Sequence, residues 1–130
     1  MSGERYLLDT NAIVCLLRGD QALHQRLRQA DWVGISILSQ IEFLAFPNLS
    51  ADDRGIFQQF ADSVDVVGLD RAERSLIDRV VILRAQYRLK LPDAIIAATT
   101  IERGAILITD DRQLQKLPAV KTSGTSASTP

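Results

Sequence analysis

The sequence predicts an α/β fold with three layers, in which helices cover both faces of a mostly parallel central sheet. Short apolar runs alternate with longer amphipathic stretches along the chain, which is typical of successive strand–helix units. Two of these runs, RYLLD and AILIT, are apolar at successive positions, as in strands covered on both faces. The chain shows no internal repeat.

The first half of the chain is predicted to contain two strands and four helices. Gly19 suits the position after a helix, Asp20 suits the N-cap of the next helix, and Pro47 ends the third. The third helix is expected to bury one apolar face made of Ile37, Leu38, Ile41, Leu44 and Ala45. The predicted ranges are 5–9 (strand), 11–18 (helix), about 21–30 (helix), 33–36 (strand), a helix from 37, and 51–62 (helix).

The second half of the chain is predicted to contain three strands and three helices. Pro92 suits the first turn of a helix that Gly104 ends. The long helix before it carries an apolar stripe of Ala72, Leu76, Val80, Leu83 and Tyr87. The predicted ranges are 64–69 (strand), about 71–87 (helix), 92–103 (helix), 105–109 (strand), a short helix within 110–117, and 119–121 (strand).

The composition indicates one domain in the cytoplasm. A chain of 130 residues has the usual size of a single domain, which we expect at 1–121, with a flexible tail of small and polar residues at 122–130. No apolar run approaches the roughly 18 residues of a membrane helix, and the N-terminal run is too short for a signal peptide. Cys15 is the only cysteine, which excludes an internal disulfide.

Four acidic residues occupy positions that converge in a parallel α/β sheet. Asp9 and Asp111 follow predicted strands, and Glu42 and Asp93 lie near the starts of predicted helices. Ligands of such sheets bind beyond the carboxyl ends of the strands, where helices also begin. We therefore expect these four carboxylates to line one site. Asp110 follows the same strand as Asp111, and the sequence leaves its contribution open.

Each of these acids also has a purely structural explanation. Asp9 can cap the helix that follows it, and Ser39 with Glu42 matches the capping-box pattern. Asp93 can interact with a helix dipole, and Asp110 can cap the last short helix. No single acid requires a functional explanation. Their joint placement at one edge of the predicted sheet nevertheless favours a shared site.

Convergence of four carboxylates predicts a hard divalent cation. Two carboxylates about 5 Å apart repel by roughly 3 kcal/mol at an effective dielectric constant near 20, so such a cluster takes up protons or binds a cation. Oxygen ligands without cysteine or histidine select Mg²⁺ or Mn²⁺, which supports attack of water on a phosphodiester. Asn11 and Thr109 can hydrogen-bond a carboxylate or a water of the cation. With four carboxylates assigned to a cation, the formal charge of the remainder rises from −1 to +3, which permits a polyanionic substrate.

Three segments resemble the PIN-domain ribonucleases, in particular the VapC-type toxins of toxin–antitoxin pairs. They are YLLDTNAIVCLL, ISILSQIEFLAF and LKLPDAIIAATTIERGAILITDDRQL, and the resemblance covers residues 5 to about 120. It implies a PIN-like, Rossmann-like three-layer α/β/α domain. Its acidic quartet falls on Asp9, Glu42, Asp93 and Asp111, with Ser39 and Thr109 matching the hydroxyl residues of the motifs.

The resemblance also implies an activity and partners. It implies a divalent-metal-dependent endoribonuclease that forms a homodimer and is inhibited by a small cognate antitoxin. Two features depart from the family pattern. Phe46 stands where many members have glycine, which is expected to alter the groove or the antitoxin contact, and Gln113 and Leu114 replace a frequent acid–phenylalanine pair.

Three basic residues flank the acids in sequence, namely Arg88, Lys90 and Arg112. They can contact RNA phosphates, although solvated surface charge explains them equally well. The alternative to a nuclease is a non-cleaving RNA-binding or protein-interaction module that keeps the fold. The four intact acids argue against that alternative.

Overall fold

The computed structural model describes residues 3–126, within which five strands alternate with seven helices. The strands are β1 (Arg5–Leu8), β2 (Trp32–Ser36), β3 (Asp65–Val67), β4 (Ile106–Ile108) and β5 (Thr122–Ser123). The helices are α1 (Thr10–Leu17), α2 (Gln21–Arg28), α3 (Ile37–Leu44), α4 (Ala51–Ser63), α5 (Arg74–Tyr87), α6 (Leu91–Glu102) and α7 (Arg112–Gln115).

The five strands form one sheet in the order β3-β2-β1-β4-β5, and every neighbouring pair is parallel. In the central strand β1, Leu8 is in register with Ile35 of β2 and Ile108 of β4. In chain order, β2 and then β3 are added on one side of β1, and β4 and then β5 are added on its other side. The carboxyl ends of β1 and β4 therefore flank the point where the strand order reverses, which is where ligands bind in open α/β sheets.

Two hydrophobic clusters lie on opposite faces of this sheet. Leu7 belongs to a cluster with buried residues of α5 and α6, whereas Tyr6 and Leu8 belong to a cluster with buried residues of α1, α2, α3 and α4. Successive residues of a strand point to opposite faces, so a fully apolar β1 serves both clusters. The predicted three-layer α/β/α architecture is confirmed.

The predicted boundary between the first two helices is also confirmed. Gly19 follows α1 with φ +95°, a left-handed conformation that disfavours residues with a side chain. Asp20 then caps α2, since its Oδ1 accepts a hydrogen bond of 3.0 Å from the Leu23 N–H. The turn between the two helices is thus determined locally.

The apolar face predicted for α3 is wrong in part. Ile41 is 58% exposed, whereas Ser39 and Phe43 are the buried residues of this helix. The helix begins directly after β2 without a loop, so the strand determines which side of the helix faces the core. Phe43 then stacks on Phe57 of α4, with ring centroids 4.6 Å apart.

Two elements of the second half are shorter than predicted. The helix predicted from 71 begins at Arg74, because Asp70 forms a turn in which its side chain accepts a hydrogen bond from the Ala72 N–H. The strand predicted at 64–69 spans only Asp65–Val67. Of the predicted stripe on α5, Leu76, Val80 and Leu83 are buried.

The predictions for the C-terminal segment need correction. No strand forms at 119–121, where the Val120 N–H bonds the Leu117 carbonyl in a turn. The last strand lies at Thr122–Ser123, inside the stretch predicted to be a flexible tail. The segment from residue 122 to residue 126 is held in place by hydrogen bonds of its backbone and side chains with Arg26 and Asp110. The remainder of the predicted tail, 127–130, lies outside the described residues.

Within residues 3–126, no helix has the length and apolar character needed to cross a membrane.

Candidate active site

A cleft of about 260 Å³ opens beyond the carboxyl ends of β1 and β4. All four predicted acids line this cleft, although they come from four separate segments of the chain. Its lining residues are Asp9, Thr10, Asn11, Glu42, Phe46, Pro92, Asp93, Ile96, Asp111 and Leu114. The carboxylates share the cleft with a few apolar side chains.

Asp9 lies at the bottom of the cleft and is only 8% exposed. It is the N-cap of α1, and its Oδ1 accepts a hydrogen bond of 2.8 Å from the Ala12 N–H. Burial raises the pKa of Asp9, and the negative charges of Asp110 and Asp111 raise it further. Hydrogen bonds from Thr109 and Ala12 oppose this shift in part. In the absence of a cation, ionisation of this carboxyl is therefore disfavoured.

Glu42 lies one helical turn into α3 and is exposed to solvent. The Thr10 hydroxyl donates a hydrogen bond of 2.7 Å to its Oε1, so α1 orients an acid that α3 carries. The capping-box explanation for Ser39 and Glu42 is wrong. The N-cap of α3 is Ser36, whose Oγ accepts a hydrogen bond from the Leu38 N–H.

Asp93 lies in the first turn of α6 and does not cap it, because the N-cap residue is Lys90. Burial raises the pKa of Asp93, and the charges of Asp111 and Glu42 raise it further, while Lys90 lowers it. These electrostatic effects show that Asp93 lies near two other acids of the cleft.

Asp111 is the N-cap of α7, and its Oδ1 accepts hydrogen bonds from the Gln113 N–H at 2.8 Å and the Leu114 N–H at 3.4 Å. Its own N–H donates to the Thr109 Oγ1 at 3.0 Å. The same threonine also hydrogen-bonds Asp9 and is fully buried. One hydroxyl therefore links the acids that follow β1 and β4.

Asp110 does not line the cleft. Its Oδ1 accepts a hydrogen bond of 2.9 Å from the Thr125 N–H, and its Oδ2 accepts one of 2.7 Å from the Thr125 hydroxyl. Asp110 thus anchors the C-terminal segment, and its charge reaches the site only by raising the pKa of Asp9.

The other predicted polar residues have different surroundings. Asn11 is exposed and lines the cleft. Ser39 is fully buried, and among the described residues its Oγ has no hydrogen-bond partner. A buried hydroxyl without a partner is costly, so this atom is suited to bind a water molecule or a neighbouring acid.

The three basic residues do not line the cleft. Lys90 lies close enough to Asp93 to lower its pKa. Arg112 is exposed in the first position of α7, next to Asp111. Arg88 ends α5 with φ +55° and lines a separate shallow depression with Val81, Arg84, Ala85 and Leu89.

The sequence profile of the PIN domain matches residues 6–120. The chain belongs to the PIN domain family. The resemblance seen in the three sequence segments is thereby confirmed. In general terms this membership places the protein among the hydrolytic nucleases. A search among curated proteins finds no significant match.

Solved structures with this fold include toxin–antitoxin complexes. A toxin–antitoxin complex from Klebsiella pneumoniae is 26% identical with a TM-score of 0.71, and the match covers 88% of this chain and 94% of that chain. DNA-bound VapBC from Salmonella typhimurium is 16% identical with a TM-score of 0.77, and the match covers 94% and 98% of the two chains. VapBC-1 from nontypeable Haemophilus influenzae is 20% identical with a TM-score of 0.70, at the same coverage.

The donor atoms of this PIN-domain cleft fit a hard cation that keeps part of its water shell. The polar groups are carboxylates, a hydroxyl and an amide, without thiolate or imidazole. Within residues 3–126, no three acidic, histidine or cysteine side chains form a complete metal-binding cluster. Asp9, Glu42 and Asp111 each use one oxygen in a hydrogen bond within the protein. Mg²⁺ is often held by one or two carboxylates together with waters and substrate phosphates, which suits this arrangement.

Five residues of the cleft were not among the predicted site residues, namely Thr10, Phe46, Pro92, Ile96 and Leu114. Thr10 orients Glu42, and its position directly after Asp9 was the available signal. Phe46 was noted as a departure from the family pattern that alters the groove or the antitoxin contact, but it was not predicted as a site residue, and it lines the cleft. An aromatic residue after an amphipathic helix reads equally well as core, so the sequence did not distinguish the two.

Proposed function

We propose that this PIN domain is a divalent-metal-dependent endoribonuclease and the toxin of a VapBC-type toxin–antitoxin pair. The observation that carries the proposal is a single cleft lined by Asp9, Glu42, Asp93 and Asp111. Burial and mutual repulsion raise the pKa of Asp9 and Asp93. A divalent cation relieves both effects, because it stabilises the ionised carboxylates.

The four acids would hold Mg²⁺ or Mn²⁺. A bound cation would supply activation of water and neutralisation of the charge that develops on the phosphate. Thr109 fixes the orientation of Asp9 and the backbone of Asp111, and Thr10 orients Glu42. These hydroxyl groups hold the carboxylates in place before substrate arrives, which reduces the reorganisation needed during the reaction.

Five further polar residues support the site in this proposal. Asn11 offers an amide at the cleft for a phosphate oxygen or a water molecule. Ser39 offers a buried hydroxyl without a partner one turn from Glu42. Lys90 and Arg112 contact phosphates next to the scissile phosphate. Arg88 contacts the RNA at the C-terminal end of α5.

The partners in this proposal are a small cognate antitoxin and a second copy of the chain. The support is the similarity to the Klebsiella, Salmonella and Haemophilus complexes, which contain toxin–antitoxin or VapBC proteins. The site of action is the cytoplasm, where the RNA substrate is found. A short open reading frame beside the gene would supply the antitoxin.

Cleavage of RNA by the purified full chain tests the proposal. Mixed small RNAs are incubated with the protein in Mg²⁺ or Mn²⁺, in EDTA, and with the Asp9→Asn variant. Asparagine keeps an Oδ1 acceptor for the Ala12 N–H, so the cap of α1 survives while the charge is removed. Asp52→Asn is the matched control, because Asp52 is an exposed acid in the first turn of α4 outside the cleft.

We expect cleavage by wild type and Asp52→Asn, abolished by EDTA and reduced at least about 100-fold in Asp9→Asn. RNA binding without cleavage under every metal condition would instead identify a non-cleaving PIN module. That alternative draws its support from the incomplete metal-binding cluster among the described residues. Cleavage that persists in EDTA would contradict the metal-dependent mechanism.

A further inference from the structure

We propose that Phe46 forms a binding subsite for an unpaired nucleobase adjacent to the phosphate held at the acids. This inference rests on the proposed nuclease function. Phe46 follows the end of α3, where its N–H bonds the Phe43 carbonyl at 3.2 Å. Phe46 lines the same cleft as the four acids, and the residue is 39% exposed. This aromatic side chain is partly exposed in a cleft that also holds four acids, and a cleft with aromatic lining and a few polar groups points to a ligand.

The ring of Phe46 is supported by a row of aromatic side chains. Its centroid lies 5.5 Å from that of Phe43 at an interplanar angle of 53°. Phe43 is in turn stacked on Phe57 at 4.6 Å and 18°, and Phe57 is fully buried. The ring therefore presents an accessible surface in a defined position. A base that stacks on it does not have to order a mobile side chain.

The cleft has polar and apolar lining residues, and the two groups suit different parts of a nucleotide. The carboxylates, through a cation, suit the phosphate of a nucleotide, but they offer a base nothing on which to stack. Phe46 offers a partly exposed aromatic side chain within the same cleft, whose other apolar lining residues are Pro92, Ile96 and Leu114. A nucleobase stacks on an aromatic ring whatever its sequence identity, provided that it is not already stacked in a duplex. The subsite therefore selects single-stranded or looped RNA.

The test uses RNA oligonucleotides that the wild-type chain cleaves, with the cut position mapped. Each is also made with an abasic ribose at one of the nucleotides that flank the cut. Steady-state kinetics are measured for wild type, Phe46→Ala, Phe46→Leu and Phe46→Trp in Mg²⁺ or Mn²⁺. Ile41→Ala is the matched control, since Ile41 is 58% exposed on α3 but does not line the cleft.

We expect Phe46→Ala and Phe46→Leu to raise KM about 5- to 100-fold on intact RNA with a smaller change in kcat. Phe46→Trp and Ile41→Ala retain the wild-type KM within about threefold. One abasic position raises KM for wild type by a similar factor but has no further effect on Phe46→Ala, because the stacking partner is already absent.

The outcomes separate this inference from the proposed function. Cleavage by wild type with the same KM in Phe46→Ala would overturn the subsite and leave the nuclease intact. That result would assign the exposed ring to a protein contact. Equal KM values for leucine and phenylalanine at position 46 would overturn stacking in favour of simple apolar burial. If wild type cleaves no RNA, the proposed function fails and the subsite fails with it.

Discussion

At the level of single residues, Asp9 and Asp111 serve the fold and the cleft at the same time. Each follows a central strand, caps the next helix through its Oδ1 and lines the cleft. For Asp9, helix capping and membership of a site, which the sequence offers as alternatives, therefore coexist. The cap of α7 expected at Thr109 or Asp110 is wrong, because Asp111 is the N-cap. Asp93 differs from both, because its side chain caps nothing and the charges of Asp111 and Glu42 act on it.

Removal of the Asp93 charge should stabilise the cation-free protein. Because the pKa of Asp93 is raised on folding, the folded state binds more protons than the unfolded state between the ordinary and the raised pKa. The free energy of unfolding therefore falls as pH rises through that interval, and the penalty is fully present above it. Asp93→Asn should raise the free energy of unfolding in EDTA at pH 7.5 by a few tenths of a kcal/mol to about 1 kcal/mol, with no gain near pH 3.

Urea denaturation at the two pH values measures this effect. Asp52→Asn serves as the control, since it removes an exposed first-turn acid from α4 without relieving any repulsion in the cleft. A loss of about 1 kcal/mol in Asp93→Asn at pH 7.5 would show that the interaction of Asp93 with the α6 dipole outweighs the repulsion.

At the level of secondary-structure elements, β5 is the feature that the sequence predicted least well. The letters TSGTS are small and polar, a composition typical of a flexible segment. Their order comes from distant partners. Arg26 of α2 donates to the Gly124 carbonyl at 2.9 Å and to the Ser123 Oγ at 2.8 Å, and the Thr109 N–H donates to the Ser123 carbonyl at 2.9 Å. Contacts nearly 100 residues apart leave no local pattern in the sequence.

Deletion of the segment from Thr122 onward should therefore destabilise the fold. Arg26 is only 7% exposed, and its guanidinium would lose both of these hydrogen-bond acceptors. We expect a loss of roughly 2–4 kcal/mol in the free energy of unfolding, measured by chemical denaturation. A chain that ends at Ser126 keeps all of these contacts and is the matched control. Equal stability of the two shortened chains would restore the prediction of a flexible tail from residue 122.

At the level of the whole molecule, the parallel sheet brings together acids that lie up to 102 residues apart in the chain, Asp9 and Asp111. The rule that ligands bind beyond strand carboxyl ends predicted this placement before any coordinates were known. The sequence did not predict which oxygen atom of each acid accepts a hydrogen bond within the protein. It also did not predict that Thr10 lines the cleft and orients Glu42, since this depends on how α1 and α3 are oriented against the sheet.

Because the acids come from four separate segments, cation binding should stabilise the entire fold. At a Mg²⁺ or Mn²⁺ concentration ten times the Kd, binding to the folded state adds about 1.4 kcal/mol to the free energy of unfolding. This increase raises the Tm by roughly 3–6 °C. Asp93→Asn should lose most of this rise, and Asp52→Asn should keep it. Thermal denaturation monitored by circular dichroism, with and without the ion, provides the measurement. An equal rise in all three proteins would indicate that the ion binds elsewhere.

Asp110 and Asp111 are identical neighbours whose side chains serve different parts of the molecule. The first bonds Thr125 and the second lines the cleft. A shift of this loop by one residue would therefore misplace both carboxylates. The length of the loop between Ile108 and Arg112 is therefore constrained as well as its composition. An insertion or a deletion there would displace both carboxylates, whereas a single replacement changes only one side chain.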